Sequence, residues 1–189
     1  MRREKFSLKP QDILVLLKLI ANEERSFRTV DLAYELDISQ SEISEGLERL
    51  RFAHLIDSTK KKPHRGAALE LLSYGLRYFF PVAPGPIVTG VPTASSTLPL
   101  SKSLVAGNQE KYVWPYAEGD VRGQAIEPLY KSAPMAALRD SSLYQLLSIV
   151  DSIRIGRARE YKVACEALKK RLLSKNKDEE KRARRSEMY

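Results

Sequence analysis

Side chains that could do covalent or acid–base chemistry are scarce in this chain. His54 and His64 are the only histidines and Cys165 the only cysteine among 189 residues. No nucleophile motif with its base, no phosphate-cradling glycine loop and no metal-ligand spacing can be read from the sequence, and two imidazoles offer little acid–base capacity. No enzyme activity, catalytic residue, metal or cofactor is expected. Hydrogen bonding and charge remain. Ser39, Gln40, Ser41 and Ser44 gather polar groups in one short stretch, followed by Glu45, Arg49 and Arg51. A Gln amide can bond an adenine edge bidentately, and Ser hydroxyls serve several bases or a phosphate. Arg49 and Arg51, at the far end, suit the phosphate backbone. Lys60, Lys61, Lys62, His64 and Arg65 crowd a second stretch, and four cations in one exposed turn neutralise phosphates. A third set, Tyr112, Trp114 and Tyr116, places three aromatics in five positions. Such a cluster can form a ligand or partner patch, or pin an irregular segment to a core.

The elements that must position these groups follow from the apolar spacing. Thr29 suits an N-cap, and Leu32, Ala33 and Leu36 share one helical face. The pattern breaks at Asp37-Ile38-Ser39. Ser39 with Glu42 three residues later forms a capping box, so a second helix starts there with Ile43, Leu47 and Leu50 as its buried stripe. Two short helices joined by a tight turn make a helix-turn-helix, whose second helix keeps its outer face free for a DNA major groove. Its outward positions are Gln40, Ser41, Ser44, Glu45, Glu48, Arg49 and Arg51. Glu42, Glu45 and Glu48 make this helix acidic for a phosphate binder. The box accounts for Glu42, a cytosine amino group could satisfy Glu45, and Arg51 at spacing three could pair with Glu48.

Upstream, Pro10 opens a helix carrying Ile13, Leu14, Leu16, Leu17 and Ile20. Downstream, residues 54–59 read as a strand, 60–66 as a basic turn and 67–71 as a return strand or helix start. That is the layout of a wing, whose basic tip can reach a minor groove. Residues 69–80 read as a closing helix. The order A-x-x-L-x-I-S-x-x-x-I-S-x-x-L-x-x-L-x-x-x-x-L-I, from Ala33 to Ile56, resembles the winged helix-turn-helix of bacterial MarR- and AsnC-like transcription regulators over about residues 8–80. The resemblance implies double-stranded DNA as partner and a homodimer as the working form.

Beyond residue 80 the composition changes. Residues 81–99 hold five prolines, two glycines and no charge, which excludes a regular helix. Residues 81–130 are expected as an irregular linker or docked segment. Pro134 opens a helical region with Leu143, Leu146, Leu147, Val150 and Ile153 as one stripe and Tyr161, Ala164, Cys165, Leu168 and Leu172 as another. Gly156 either turns the two into an antiparallel hairpin or lies within one long helix. Cys165 reads as a core thiol, and Arg154, Arg157 and Arg159 as a solvated face. The tail from Lys169 carries nine Lys/Arg against four Asp/Glu and is expected to fray.

The fold class expected is mainly α with a small β wing. The domains are 1–80 winged helix-turn-helix, 81–130 irregular segment, 131–175 helical dimerisation or sensing region and 176–189 charged mobile tail. Net charge is +8, which favours a polyanionic partner. The charged opening followed by an apolar run could suggest a leader, but Lys18 and the helical period argue against one. With one cysteine and no apolar stretch of membrane-spanning length, a soluble cytoplasmic protein is expected. The functional expectation is a sequence-specific, dimeric transcription regulator. The alternative is a protein–protein interaction module, such as an antitoxin or assembly factor, that uses the fold without reading DNA.

Overall fold

The computed structural model describes residues 7–102 and 111–186, with the side chains of the last helix described to residue 173. It is mainly helical with one small sheet. Helix α1 (Pro10–Ala21) is buried from Asp12 to Ile20 on every side, so it is a central strut rather than a surface helix. Asp12 starts it by accepting the Lys9 backbone N–H at 2.8 Å. Helices α2 (Thr29–Leu36) and α3 (Gln40–Phe52) pack across it. Arg28, not Thr29, is the N-cap of α2, where the Asp31 carboxylate takes the Arg28 N–H at 3.0 Å. Asp37 then adopts a left-handed conformation (φ 52°, ψ 52°), which a short polar side chain tolerates, and buried Ile38 closes the turn.

The expected strands beside the basic turn are absent. Only an isolated bridge pairs Ile56 with Pro63. Pro63 has no N–H to extend the ladder, and the run from Arg65 to Glu70 folds as helix α4. That helix continues through a π turn (Leu71–Gly75) into α5 (Leu76–Phe79).

The proline-rich region is more regular than its composition suggested. Strands β1 (Ile87–Pro92), β2 (Tyr112–Pro115) and β3 (Val121–Ala125) each pair with the other two. β1 runs antiparallel to both partners, with Val91 opposite Trp114 and Val88 opposite Gly123, while β2 and β3 run parallel. At Gly90 a Cβ would fall 2.0 Å from the Trp114 carbonyl oxygen, so only glycine permits this closure.

Helix α6 (Ala133–Arg139) leads into α7 (Ser141–Ile155), whose cap is Asp140, accepting the N–H groups of Ser142 and Leu143 at 3.0 Å each. α7 is buried almost throughout and packs on α1. Asp151 ties it to the sheet, accepting the Thr93 hydroxyl at 2.8 Å and the Trp114 indole N–H at 2.6 Å, while Arg154 donates to its other oxygen at 2.8 Å. Arg154 is therefore buried, contrary to the solvated face expected for it. Gly156 ends α7 at φ 73°, and α8 (Ala158–Ser186) returns antiparallel, with Arg171 donating to Gln145 at 2.7 Å. The hairpin alternative is the one observed.

Among the described residues the larger apolar cluster joins α1–α3, Trp114, Leu129, α7 and α8 across the boundaries expected near residues 80 and 130, and a smaller one gathers Ala94, Tyr112 and Ile126. α8 is helical to Ser186. The charged tail's side chains after Leu173, its last residues 187–189 and the opening residues 1–6 lie outside the described residues. Among the described residues no helix is long and apolar enough to cross a membrane.

Candidate nucleic-acid interface

The candidate surface is the outer face of α3 with the loop that follows it. Ile43, Leu47 and Leu50 anchor α3 to the core, which leaves Gln40, Ser41, Ser44 and Glu45 exposed. Ser39 caps the helix, its hydroxyl accepting the Glu42 N–H at 3.3 Å. The reciprocal half of the expected capping box is missing. The Glu42 carboxylate instead faces α1, where Lys9 donates to it at 2.9 Å, Gln11 at 3.0 Å and Arg49 at 2.8 Å. The Lys9 ammonium foremost, with Gln11 and Arg49, holds the Glu42 carboxyl below its usual range against the opposing effect of burial.

Arg49 corrects the sequence reading. It was placed on the outer face, yet its side chain is only 10% exposed and grips Asp12, 1% exposed, through Nε at 2.7 Å and Nη2 at 2.8 Å. The bidentate pair bolts α3 to α1, with Glu45 a further partner at 3.4 Å. The carboxylates hold the guanidinium more firmly protonated than usual, Asp12 most of all. Gly46 makes the approach possible, since a Cβ there would sit 2.8 Å from Asp12 Oδ1.

Arg65 is the second correction. It is buried, donates to Glu23 through Nε at 2.7 Å and to the Leu172 carbonyl at 2.8 Å, and so ties the start of α4 to α8. Neither arginine is available to a phosphate.

The remaining cations do gather. Arg51 donates to Glu48 at 2.8 Å, as its spacing predicted, and Lys60 from the loop pairs with the same carboxylate. Lys60 chiefly, then Arg51, holds the Glu48 carboxyl below its usual range. Lys61 and Lys62 are exposed beside them. Asp57 shapes this loop by accepting the Thr59 hydroxyl at 2.6 Å and the N–H groups of Lys61 and Lys62 at 3.0 and 3.1 Å. The Thr59 hydroxyl, followed by those amides, lowers the Asp57 carboxyl to about 2. Exposed His64 sits at the loop's end, Nδ1 2.9 Å from the His54 carbonyl oxygen.

All three acids of α3 are thus paired with cations, which relieves the repulsion their sequence suggested. The pairing also consumes Arg49 and shares Arg51 and Lys60. No group of three or more His, Cys, Asp or Glu side chains suited to a metal occurs among the described residues.

The aromatic patch is the third correction. Tyr112 and Trp114 are each 1% exposed and Tyr116 is partly buried, so these side chains fill the interior rather than present a surface. Trp114 packs against Tyr144 with ring centroids 5.7 Å apart. The cluster has its pinning role. Sequence reasoning missed Asp12, Glu23 and Asp57, because the cue for each is a partner distant in sequence or a loop amide.

No family model, curated protein or solved structure matches the chain. The functional reading therefore rests on the geometry of α2, α3 and the lysine loop.

Proposed function

We propose that this chain is a DNA-binding transcription regulator that acts as a dimer, inserting α3 of a helix-turn-helix into the major groove. The observation that carries the reading is the exposed Gln40, Ser41 and Ser44 at the start of a helix whose acids are all paired, flanked by Lys60, Lys61 and Lys62. Gln40 and Ser44 read base edges, the N-terminal turn and Ser41 meet phosphate, and the lysine loop holds the adjoining backbone in the manner of a shortened wing. The α1–α3 bolt fixes the presentation angle, so register does not depend on a flexible linker. The resemblance to MarR- and AsnC-like heads supports the same reading. Occupancy of a two-fold operator then blocks or recruits polymerase.

Selection from a random duplex pool tests this. Wild type enriches a two-fold sequence, and Gln40→Ala relaxes the preference at one position in each half-site. A pool that stays random overturns sequence-specific reading. The second reading is a protein-docking module, favoured by the withdrawal of Arg49 and Arg65 from the surface. It is the outcome if duplex DNA is bound without preference.

A further inference from the structure

Three large aromatic side chains within six residues stand in solvent: Tyr74, Tyr78 and Phe79 are 70%, 72% and 70% exposed. Single exposed apolar residues are ordinary, but a cluster of aromatics marks an interaction surface. The π turn (Leu71–Gly75) sets up the cluster. The Leu76 N–H reaches back to the Leu71 carbonyl, so Leu72, Ser73 and Leu76 face the core while Tyr74 and Tyr78 face out. π bulges of this kind recur at functional sites.

The platform is held firmly. The Tyr161 hydroxyl of α8 donates to the Ser73 carbonyl at 2.7 Å. Arg77 lies over the rings of Tyr161 and Tyr78, 5.0 and 5.2 Å from their centroids. It also packs against Gly156, where a Cβ would lie 3.4 Å from the guanidinium carbon. A surface fixed in advance loses little conformational freedom when covered. From Leu71 to Ser101 the only charged residue is Arg77, in a chain of which 30% is charged. Aromatics with one arginine and few other charges have the composition of an interface centre.

We propose that Tyr74, Tyr78 and Phe79, framed by Arg77, form the two-fold contact with a second copy of this chain. This names the dimer face and rests on the DNA-reading proposal only in its use of two heads. Area argues for a second copy. Three aromatics of roughly 200 Å² each, about 70% exposed, supply on the order of 400 Å² per copy and 800 Å² together when each covers the other, the size of a weak and reversible contact that needs a matching apolar surface opposite. Charge argues the same way. Between two chains of net charge +8, a patch whose own segment carries only Arg77, stacked on its own tyrosines, puts few like charges face to face. A two-fold contact demands a self-complementary patch, and aromatic side chains meet that demand, since the rings of one copy pack on the same rings of the other.

The test is sedimentation of the full chain without DNA at about 50 µM, a concentration suited to a contact of this size. Wild type is expected at twice the 21.4 kDa chain mass, and Tyr74→Ser/Tyr78→Ser at the single-chain mass with an unchanged circular dichroism spectrum. Tyr78→Lys, which places like charges across the axis, is expected to give the same loss, while Tyr74→Phe/Tyr78→Phe stays dimeric. In dilution series the double Ser variant raises the dimer dissociation constant by at least about 100-fold. A monomeric wild type, or a dimer that survives both disruptive variants, overturns the proposal. Binding to a single half-site, measured in parallel, separates the two readings. A dimer that loses this contact yet still binds a half-site leaves α3 as the reader, and a tyrosine-dependent dimer that binds no DNA leaves this face standing without it.

Discussion

Arg49→Ala separates the role its outward spacing suggests from the role the structure assigns it. Truncation strips buried Asp12 of both side-chain donors and leaves it the Lys9 backbone N–H. Removing one partner of a buried pair costs about 3–5 kcal/mol. Glu42 keeps Lys9 and Gln11, which places the effect near the lower end of that range. Against a total stability of about 5–15 kcal/mol this is a large fraction. Arg51→Ala removes the same formal charge from the same helix, but its pair with Glu48 is 47% and 42% exposed. An exposed pair of that kind contributes below about 1 kcal/mol. Urea unfolding, followed by circular dichroism and by the emission of the single Trp114, compares the two variants. Arg49→Ala is expected to lower the midpoint severalfold more than Arg51→Ala, and Asp12→Ala/Arg49→Ala to recover part of the loss because no buried charge is stranded. DNA affinity, measured where all variants are folded, is expected to keep its salt dependence in Arg49→Ala and to lose part of it in Arg51→Ala. Equal midpoints, or a reduced salt slope in Arg49→Ala alone, refute the assignment.

Gly46→Ala is expected to cost about 1–3 kcal/mol by overpacking, since its Cβ would press on Asp12 Oδ1 at 2.8 Å; a melting temperature equal to wild type contradicts this. Asp151→Ala strands the buried Arg154 guanidinium and frees the Trp114 indole, so a loss of about 3–5 kcal/mol is expected together with a red shift in emission, both read in one unfolding experiment. Asp57 carries a pH dependence of defined sign. Its folded carboxyl is depressed to about 2, so its support of the lysine loop is full above the ordinary aspartate value near ~4 and is lost as pH falls from there through about 2. The protection of the Lys61 and Lys62 amides, taken relative to their intrinsic exchange at each pH, is expected to fall across that window, and Asp57→Ala to show the same loss of protection already at neutral pH with a slightly lowered melting temperature.

The pair of short helices α2 and α3 was legible because it is local. Ser39 caps α3, the Ile43, Leu47 and Leu50 stripe is buried as spaced, and Glu48 meets Arg51. Gly156 was legible as a possible turn for the same reason, and its positive φ decides between the hairpin and one long helix. The sheet was not. Its strands are four to six residues long, hold prolines and glycines, and β2 buries Tyr112, Val113 and Trp114 in succession, so no alternation announces it. The wing strands failed on Pro63 and on a helix-forming run beginning at Arg65. Arg49 and Arg65 were misplaced because their partners, Asp12 and Glu23, lie 37 and 42 residues away, a distance no spacing rule crosses. Helical spacing puts Phe79 on the same face as Leu72 and Leu76, yet those two are buried and Phe79 is exposed, so the aromatic surface is not legible from the spacing.

The most direct test of the central claim is the affinity of the chain for duplex DNA across a salt series, wild type against Lys61→Ala/Lys62→Ala. Four cations lie on the candidate face, Arg51 and Lys60 partly neutralised by Glu48 and Lys61 and Lys62 exposed. With about three phosphates neutralised by each of the two heads of the dimer, log K is expected to fall against log salt with a slope of roughly −5, and the double variant, which loses two exposed lysines per head, to reduce that slope by about 4. A wild type with no measurable salt dependence, or a double variant with the same slope, contradicts the claim that α3 and its lysine loop face DNA.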